Sequence, residues 1–243
     1  MIWVIGLALL GAAAYWLFIL TEGAYLGQRV VVVLYDRCAS RYDAIKRVPP
    51  HDDAHHLARP LLEALRGVES PLVLDVAVGT GRLPLALLRQ WDFAGRTVGL
   101  DLSQQMLNIG RCKTNARYGG LALTRADAMA LPFPAGAFDA VTCVEALELL
   151  PNPRYALLEL VRVLRPGGQL LVTNRVGVDA CFFPGRAFRR NGLEKRLRTM
   201  GLTSVRTRRW QVHYDLIQAQ KLLPARKPGH RNPHLCGASA STS

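Results

Sequence analysis

A carboxylate and a set of small side chains follow an apolar run near residue 75. In "VLDVAVGTGR", residues 73–82, Asp75 closes a strand-like stretch, and Ala77, Gly79 and Gly81 keep the next turn almost free of side-chain bulk. In open α/β sheets, ligands bind beyond the carboxyl ends of the strands, and small residues there let a ligand approach the backbone. The stretch therefore predicts a binding site for a nucleotide-like ligand.

Two common nucleotide-binding loops are excluded by the residues that follow Asp75. A dinucleotide fingerprint, G-x-G-x-x-G, that starts at Gly79 would require glycine where Pro84 stands. A Walker A loop would require Gly-Lys-Ser/Thr, whereas Arg82 follows Gly81 here. The ligand is therefore not identified by either of these two motifs.

Alternating apolar patterns predict the elements that must position this loop. From residue 71, short strand-like runs alternate with helix-like runs, which is typical of a parallel sheet covered by helices. The predicted strands are PLVLDVAV, RTVGLDL, GLALTRAD, FDAVTCV and GQLLVTN, with two closing strands within residues 203–220. The predicted helices are HDDAHHLARPLLEALRG, LPLALLRQ, SQQMLNIGRCKTNA, NPRYALLELVRVL and GLEKRLRTMG. One α/β domain is expected.

Four motifs in this order resemble those of the class I S-adenosylmethionine-dependent methyltransferases. "VLDVAVGTGR" is similar to their first motif, with Ala77 where glycine is more usual, and "VGLDLSQQML" to their second element. "RADAMALPFPAGAFDAVTC" resembles their adenine segment, and "LRPGGQLLVT" the turn before strand five. The resemblance covers roughly residues 71–175. It implies a doubly wound, seven-stranded, mostly parallel Rossmann-like sheet that binds S-adenosylmethionine.

The resemblance also implies roles for single residues. Asp101, at the end of the second strand, would accept hydrogen bonds from both ribose hydroxyls. Asp127 would accept from the adenine amine, and Ala128 would offer its backbone. The full set of implied cofactor residues is Asp75, Ala77, Gly79, Gly81, Asp101, Leu102, Met106, Asp127, Ala128 and Cys143.

Two carboxylates in "CVEALELLP" follow the fourth strand, beside the expected methyl position. Glu145 or Glu148 could remove a proton from the acceptor, or could make a polar contact that holds the loop or the cofactor's amino group. Base-modifying enzymes of this class often carry Asn or Asp, Pro, Pro and an aromatic residue here. Residues 143–146 are Cys, Val, Glu and Ala, which disfavours amino-methylation of adenine or cytosine.

A further resemblance lies in front of the domain. "LYDRCASRYDAIK", residues 34–46, is similar to the segment that precedes the core in quinone- and sterol-type methyltransferases. In that segment an aromatic residue and an acid help to close over the cofactor, and Tyr42 and Asp43 match this pair. This favours Tyr42 as a lid residue and a small or lipid-soluble acceptor.

The first 20 residues, "MIWVIGLALLGAAAYWLFIL", contain no charged side chain. About 20 apolar residues in a helix cross the hydrocarbon core of a bilayer, so a single transmembrane helix is expected. A cleaved signal peptide and a buried core helix are the alternatives, but no basic segment precedes the run and it is long for a signal peptide. Cations follow the run at Arg29, Arg37, Arg41, Lys46 and Arg47. The positive-inside rule then places the catalytic domain in the cytoplasm.

The expected division of the chain follows from these patterns. It consists of a transmembrane helix at 1–21, a juxtamembrane segment at 22–50, a methyltransferase domain at 51–221 and a disordered tail at 222–243. The tail is rich in Pro, Gly, Ser and basic residues, which are poor core formers. The sequence does not indicate an oligomeric state.

Positive charge is concentrated near the C-terminus. Residues 182–243 carry 13 of the 31 Lys and Arg residues but only Glu194 and Asp215 among the 18 acidic ones. With a membrane helix on the same chain, we expect the cations of residues 186–198 to meet anionic lipid. The alternatives are an RNA-binding or RNA-modifying methyltransferase, and a cofactor-binding scaffold without turnover. Nucleic acid is the less expected partner, and the intact set of strand-end acids argues against the scaffold.

Disulfide and metal sites are not predicted. The five cysteines show neither C-x-x-C spacing nor even pairing, so reduced thiols are expected at Cys38, Cys112, Cys143, Cys181 and Cys236. Residues 51–56 contain three histidines and two aspartates, but no further Cys or His follows at ligand spacing. A solvated helix start is the better interpretation of this cluster.

Overall fold

The computed structural model of the chain describes residues 1–47, 49–114, 120–189 and 191–223. Its strands are β1 (Leu72–Val76), β2 (Arg96–Asp101), β3 (Leu121–Arg125), β4 (Phe138–Cys143), β5 (Leu164–Arg175), β6 (Leu202–Trp210) and β7 (Tyr214–Lys221). They form one sheet in the order β3-β2-β1-β4-β5-β7-β6. β7 is antiparallel to β5 and β6, and β1 to β5 pair in parallel. The predicted seven-stranded, mostly parallel sheet is confirmed.

Helices connect the parallel strands and precede the sheet. They are α1 (Ile2–Tyr15), α2 (Gln28–Cys38), α3 (Tyr42–Lys46), α4 (Pro50–Asp53), α5 (Arg59–Ala64), α6 (Arg82–Leu88), α7 (Gln104–Thr114), α8 (Pro153–Val163) and α9 (Gly192–Thr199). The helix predicted before β1 is formed by α4 and α5, which are joined by a π-helical turn at Ala54–Ala58. At α8 the predicted start is explained by a cap, because the Asn152 side chain accepts from the Tyr155 N–H at 3.1 Å.

The apolar runs form strands because the sheet is covered on both faces. Val73 packs in a cluster with Leu57, Leu83 and Leu87, whereas the next residue, Leu74, packs in a cluster with the α8 side. Successive side chains of a strand point to opposite faces, so a doubly covered strand needs apolar residues at nearly every position. All six residues of β4 are buried, and its two polar residues, Asp139 and Thr142, are hydrogen-bonded to β1.

The N-terminal helix stands apart from this core. α1 continues through a π-helical turn at Trp16–Leu20, and the combined helix Ile2–Leu20 has 19 residues and a mean hydropathy of 2.2. None of its apolar window is buried against the described part of the chain. By length and composition it can cross a membrane, as predicted, and its exposure argues against the buried-core alternative.

Some predictions lie outside the described residues. They concern Arg190, Cys236 and the tail from residue 224 onward.

Candidate cofactor and acceptor site

Acidic residues of three strands meet at the carboxyl edge of the sheet. Asp75 lies in β1, Asp101 ends β2, and Asp127 follows β3 by two residues. These strands are neighbours, so their carboxyl ends surround one opening. Two adjoining cavities at this edge are lined by the predicted site residues Tyr42, Asp75, Ala77, Gly79, Asp101, Leu102, Ala128 and Glu145.

Other predicted cofactor residues surround this opening without lining the two cavities in the described structure. Gly81 precedes α6 with a φ of 85°. Met106 and Cys143 are fully buried in the protein interior. Burial raises the pKa of the Cys143 thiol well above its usual value, so it stays protonated. As cofactor contacts these residues remain predictions, and the structure shows Met106 and Cys143 as packing residues.

The loop after β1 requires residues that tolerate a positive φ. Gly79 has a φ of 54° and Ala77 one of 57°. Glycine adopts this conformation without a steric penalty, whereas an L-residue such as alanine is strained by about 1–2 kcal/mol. This explains in physical terms why glycine is the more usual residue at position 77.

Asp101 ties two loops of the opening together. Its Oδ2 accepts the Gly79 N–H at 2.9 Å and its Oδ1 accepts the Ser103 N–H at 2.8 Å. Burial raises the pKa of the Asp101 carboxyl, although these two N–H groups oppose the rise. The carboxylate also lines the larger cavity, so its remaining lone pairs can accept hydrogen bonds from a ligand.

Asp75 lies deeper than Asp101. It is 5% exposed, and its Oδ1 accepts the Thr142 hydroxyl at 2.6 Å. Burial raises the pKa of the Asp75 carboxyl to about 7, a rise that the Thr142 hydrogen bond partly opposes. This acid therefore titrates near neutral pH rather than near pH 4.

Asp75→Asn is expected to stabilise the fold at pH 8 more than at pH 5. Because the folded-state pKa is raised from 3.8 to about 7, the contribution of Asp75 to stability is lost as pH rises through this window. At about 1.4 kcal/mol per pH unit, the free energy of unfolding of the variant should exceed that of the wild type by up to about 4 kcal/mol at pH 8. Urea denaturation in detergent at both pH values measures this. Asp92→Asn, in an exposed loop, is the control, and an Asp75→Asn effect independent of pH would contradict the assigned titration.

Asp127 is contacted by a residue that the sequence did not indicate. Its Oδ1 accepts the Gln28 side-chain amide at 2.9 Å and the Met129 N–H at 2.9 Å. Gln28 starts α2, which belongs to the predicted juxtamembrane segment. Val31, Val32 and Tyr35 of the same helix line the larger cavity. Their apolar pattern was the sequence signal that could have placed α2 on the site.

Residues 28–46, which we call the strap, contact all three cofactor loops. Gln28 bonds Asp127 after β3, as described above. Asp36 accepts from the Ser103 hydroxyl and from the Gln105 N–H at 3.1 Å, after β2. Asp43 accepts from the Thr80 hydroxyl at 2.7 Å, after β1. Tyr42 lines both cavities, so the predicted lid residue lies at the site.

Glu145 is held by cations. It is 8% exposed, and its carboxylate accepts from Lys46 at 2.6 Å and from Arg82 and Gln211 at 3.2 Å each. Burial alone would raise the pKa of Glu145, but Lys46 and Arg82 outweigh burial and hold the pKa below its ordinary value. The side chain therefore stays ionised and joins the strap to α6 and the β6–β7 turn.

Glu148 has a different environment. It is 2% exposed, its Oε1 accepts the Tyr214 hydroxyl at 2.5 Å, and Arg175 lies 3.4 Å away. Among the described residues, none donates to Oε2. Burial raises the pKa of the Glu148 carboxyl, although Tyr214 and Arg175 oppose the rise. Tyr214 and Arg175 were not among the predicted site residues, because they come from β7 and the end of β5.

The opening fits S-adenosylmethionine, the cofactor that the sequence resemblance implies. A ribose diol needs acceptors, which the Asp101 carboxylate offers. Adenine needs both donors and acceptors, which the Asp127 and Ala128 segment can supply. The small side chains at Ala77 and Gly79 leave the backbone accessible to the amino-acid portion, and the acidic lining suits a positively charged sulfonium.

Comparison with known proteins agrees with this geometry. Residues 74–172 match the family described as a methyltransferase domain. The chain is 37% identical over 139 residues to the demethylmenaquinone methyltransferase of Thermus thermophilus, covering 57% of this chain and 63% of that protein. It is 35% identical over 147 residues to the ubiquinone/menaquinone biosynthesis C-methyltransferase of Saccharophagus degradans, covering 59% of each. The chain thus spans about three-fifths of the length of these relatives.

Solved structures share the fold. A SAM-dependent methyltransferase from Aquifex aeolicus superimposes with a TM-score of 0.60 at 19% identity, covering 77% of this chain and 98% of that one. The [4+2]-cyclase SpnF gives 0.59 at 22% identity, covering 69% of this chain and 80% of that one. Because these two proteins carry different activities in their names, the fold alone does not assign a reaction. Residues 74–172 thus match a methyltransferase domain, and the strand order and the acid-lined opening agree with that match.

Proposed function

We propose that the chain transfers a methyl group from S-adenosylmethionine to a small, lipid-soluble acceptor of the quinone type at a membrane surface. The observation that carries this proposal is the opening at the carboxyl ends of β1, β2 and β3, lined by Asp75 and Asp101 and covered by the strap. When bound, the cofactor supplies an electrophilic methyl group on its sulfonium. The names of the two quinone-type relatives support the acceptor class.

Two carboxylates follow β4, and we assign them different tasks. Glu145 has three donors and a lowered pKa, so it serves as an anchor between the strap and α6. Within the described part of the chain no group donates to Glu148 Oε2, and the pKa of this carboxyl is raised, which suits a group that takes a proton from an acceptor hydroxyl. In the proposed mechanism, Glu148 is therefore the residue that accepts the proton.

Glu148 is flanked by two open spaces. Its neighbours Leu149 and Leu150 line the cofactor cavity. Its partner Arg175 lines a separate groove, which also includes Phe188, Val212 and Asp215. We call this the acceptor groove and propose that the acceptor binds there, because one of its lining residues, Arg175, bonds Glu148.

The loop between β5 and α9, which lines part of the acceptor groove, contacts the end of the apolar N-terminal helix. Tyr25, just after that helix, donates its hydroxyl to the Pro184 carbonyl at 2.8 Å. The Arg186 guanidinium lies 5.0 Å from the Tyr25 ring centre, and Trp16 stacks on the same ring at 5.1 Å. The loop between β5 and α9 is thus fixed to the end of the proposed membrane span. We propose that this contact keeps the groove on the membrane side of the domain, where a lipid-soluble acceptor is available.

The basic C-terminal region supports a membrane partner. Arg189, Lys195 and Arg198 are exposed, whereas Arg186 is engaged with Tyr25 and Leu150. Exposed cations near an anionic leaflet attract it by about 1 kcal/mol each. We propose that this surface rests on lipid headgroups and steadies the domain. The RNA-modifying alternative is not favoured, because the relatives are quinone methyltransferases by name.

Topology provides a test of the anchor. If Ile2–Leu20 spans the bilayer with the following cations inside, a protease added to the outer side of sealed, right-side-out vesicles should leave residues 51–223 intact. The same protease should digest them once the vesicles are opened with detergent. Digestion in sealed vesicles would contradict the proposed orientation, and release of the intact chain by alkaline carbonate would contradict the span itself.

The proposed function is tested by product identification. The purified chain in detergent is supplied with S-adenosylmethionine carrying a labelled methyl group and is offered, separately, a membrane lipid extract and total RNA. Label is expected in a quinone-type component of the lipid extract. Label in RNA alone, or in neither fraction, would contradict the proposal.

A further inference from the structure

The adenine side of the cofactor cavity is formed by a residue of the strap. Gln28 lines the cavity, whereas Asp127 does not line it in the described part of the chain. The Gln28 Nε2 donates to Asp127 Oδ1 at 2.9 Å. The glutamine amide therefore lies on the cavity wall beside the carboxylate that the sequence resemblance assigns to the adenine amine.

The contact with Asp127 decides which way the amide faces. A carboxylate accepts but does not donate, so it selects the NH2 end of the glutamine side chain. One N–H is used on Asp127, and the second N–H and the carbonyl Oε1 remain for another partner. Among the described residues, none donates to Oε1.

The second N–H and the carbonyl Oε1 of Gln28 match the amino edge of adenine. Adenine presents an exocyclic N–H donor beside a ring-nitrogen acceptor, and a glutamine amide bonds both at once through its oxygen and its N–H. We propose that Gln28 recognises the amino edge of the cofactor's adenine beside Asp127, which orients the Gln28 amide. This rests on the proposed function and deepens it, because it assigns cofactor recognition to the helix that follows the membrane span.

The strap is held at its other contacts independently of Gln28. Asp36 binds the Ser103 hydroxyl and the Gln105 N–H, and Asp43 binds Thr80. Substitution of Gln28 is therefore expected to leave the strap in place and to remove only the amide. The proposed contact between Gln28 and adenine also discriminates against other purines, since a 6-oxo purine offers an acceptor where adenine offers a donor.

The test compares two unreactive probes on the full chain in detergent. S-adenosylhomocysteine carries the adenine amine, and S-inosylhomocysteine carries an oxo group in its place. We expect Gln28→Ala and Gln28→Met to weaken calorimetric binding of the adenosyl probe about 10- to 100-fold. Binding of the inosyl probe should change much less, so the preference between the two probes falls. A purely structural role for Gln28 would weaken both probes equally.

Matched variants complete the design. Gln104→Ala removes an amide that bonds Asn108 on the exposed surface of α7, and it should leave both affinities unchanged. Asp127→Asn removes the carboxylate that orients the amide, so it should also reduce the preference. Unchanged or tighter adenosyl binding by both Gln28 variants, with the preference intact, would overturn the inference and leave the proposed function standing. No binding of either probe by the wild type would overturn the proposed function and the inference with it.

Discussion

Asp101→Ala is expected to weaken binding of S-adenosylmethionine by about 10- to 150-fold, which corresponds to about 1.5–3 kcal/mol for hydrogen bonds to a charged group. The substitution removes the carboxylate proposed for the ribose diol. It also removes the acceptor of the Gly79 and Ser103 N–H groups, so the loops after β1 and β2 lose their shared partner. Both effects act in the same direction. Isothermal titration calorimetry on the full chain in detergent measures the loss.

A matched control separates this effect from a general loss of charge. Asp92 lies in an exposed loop before β2, at the end of the strand opposite the site. Asp92→Ala should leave cofactor affinity unchanged. If Asp101→Ala binds as tightly as Asp92→Ala, Asp101 does not contact the ribose and the placement of the cofactor in this opening is wrong.

The strands could be predicted because burial on both faces leaves a strong local signal. β1 and β4 are almost wholly buried and mostly apolar, and the glycine-rich loop follows β1 directly in the sequence. Asp75 and Asp101 could be placed for the same reason, since each lies at or near the end of a recognisable strand. A parallel sheet brings such ends to one edge whatever the rest of the chain does.

The partners of these residues could not be predicted, because they are distant in sequence. Gln28 and Asp127 are 99 residues apart, and so are Lys46 and Glu145. The apolar run in α2 predicts that this helix packs against another part of the protein, but the run alone does not show which part. Tertiary packing, not propensity, decides where such a helix lies.

The different environments of Glu145 and Glu148 could not be predicted for the same reason, since the residues that contact them are distant in sequence. Both are glutamates in one short segment after β4, and the sequence leaves their roles open. Lys46 and Arg82 lower the pKa of Glu145, whereas burial raises the pKa of Glu148 against the opposing effect of Tyr214. Their assignments thus depend on residues from other elements.

Glu148→Gln is expected to reduce kcat by about 10²–10⁴-fold, the usual contribution of a positioned base, with little change in cofactor affinity. Glutamine keeps the volume and can still accept the Tyr214 hydroxyl, but it cannot take a proton. Wild-type turnover should rise with pH through the raised pKa of Glu148 and level off above it, because the base acts as the carboxylate. The variant should lack this rise. Rates with a quinol acceptor, measured from pH 5 to pH 9, test both expectations.

Glu145→Gln provides the matched comparison, since it makes the same chemical change three residues earlier. It breaks ion pairs with Lys46 and Arg82, so it should lower the melting temperature and loosen the strap. The rise of turnover with pH should nevertheless remain, because Glu148 is intact. A kcat for Glu148→Gln within about threefold of the wild type, when a base contributes 10²-fold or more, would exclude Glu148 as the proton acceptor. Loss of the pH-dependent rise in Glu145→Gln instead would transfer that role to Glu145, even though its pKa is lowered.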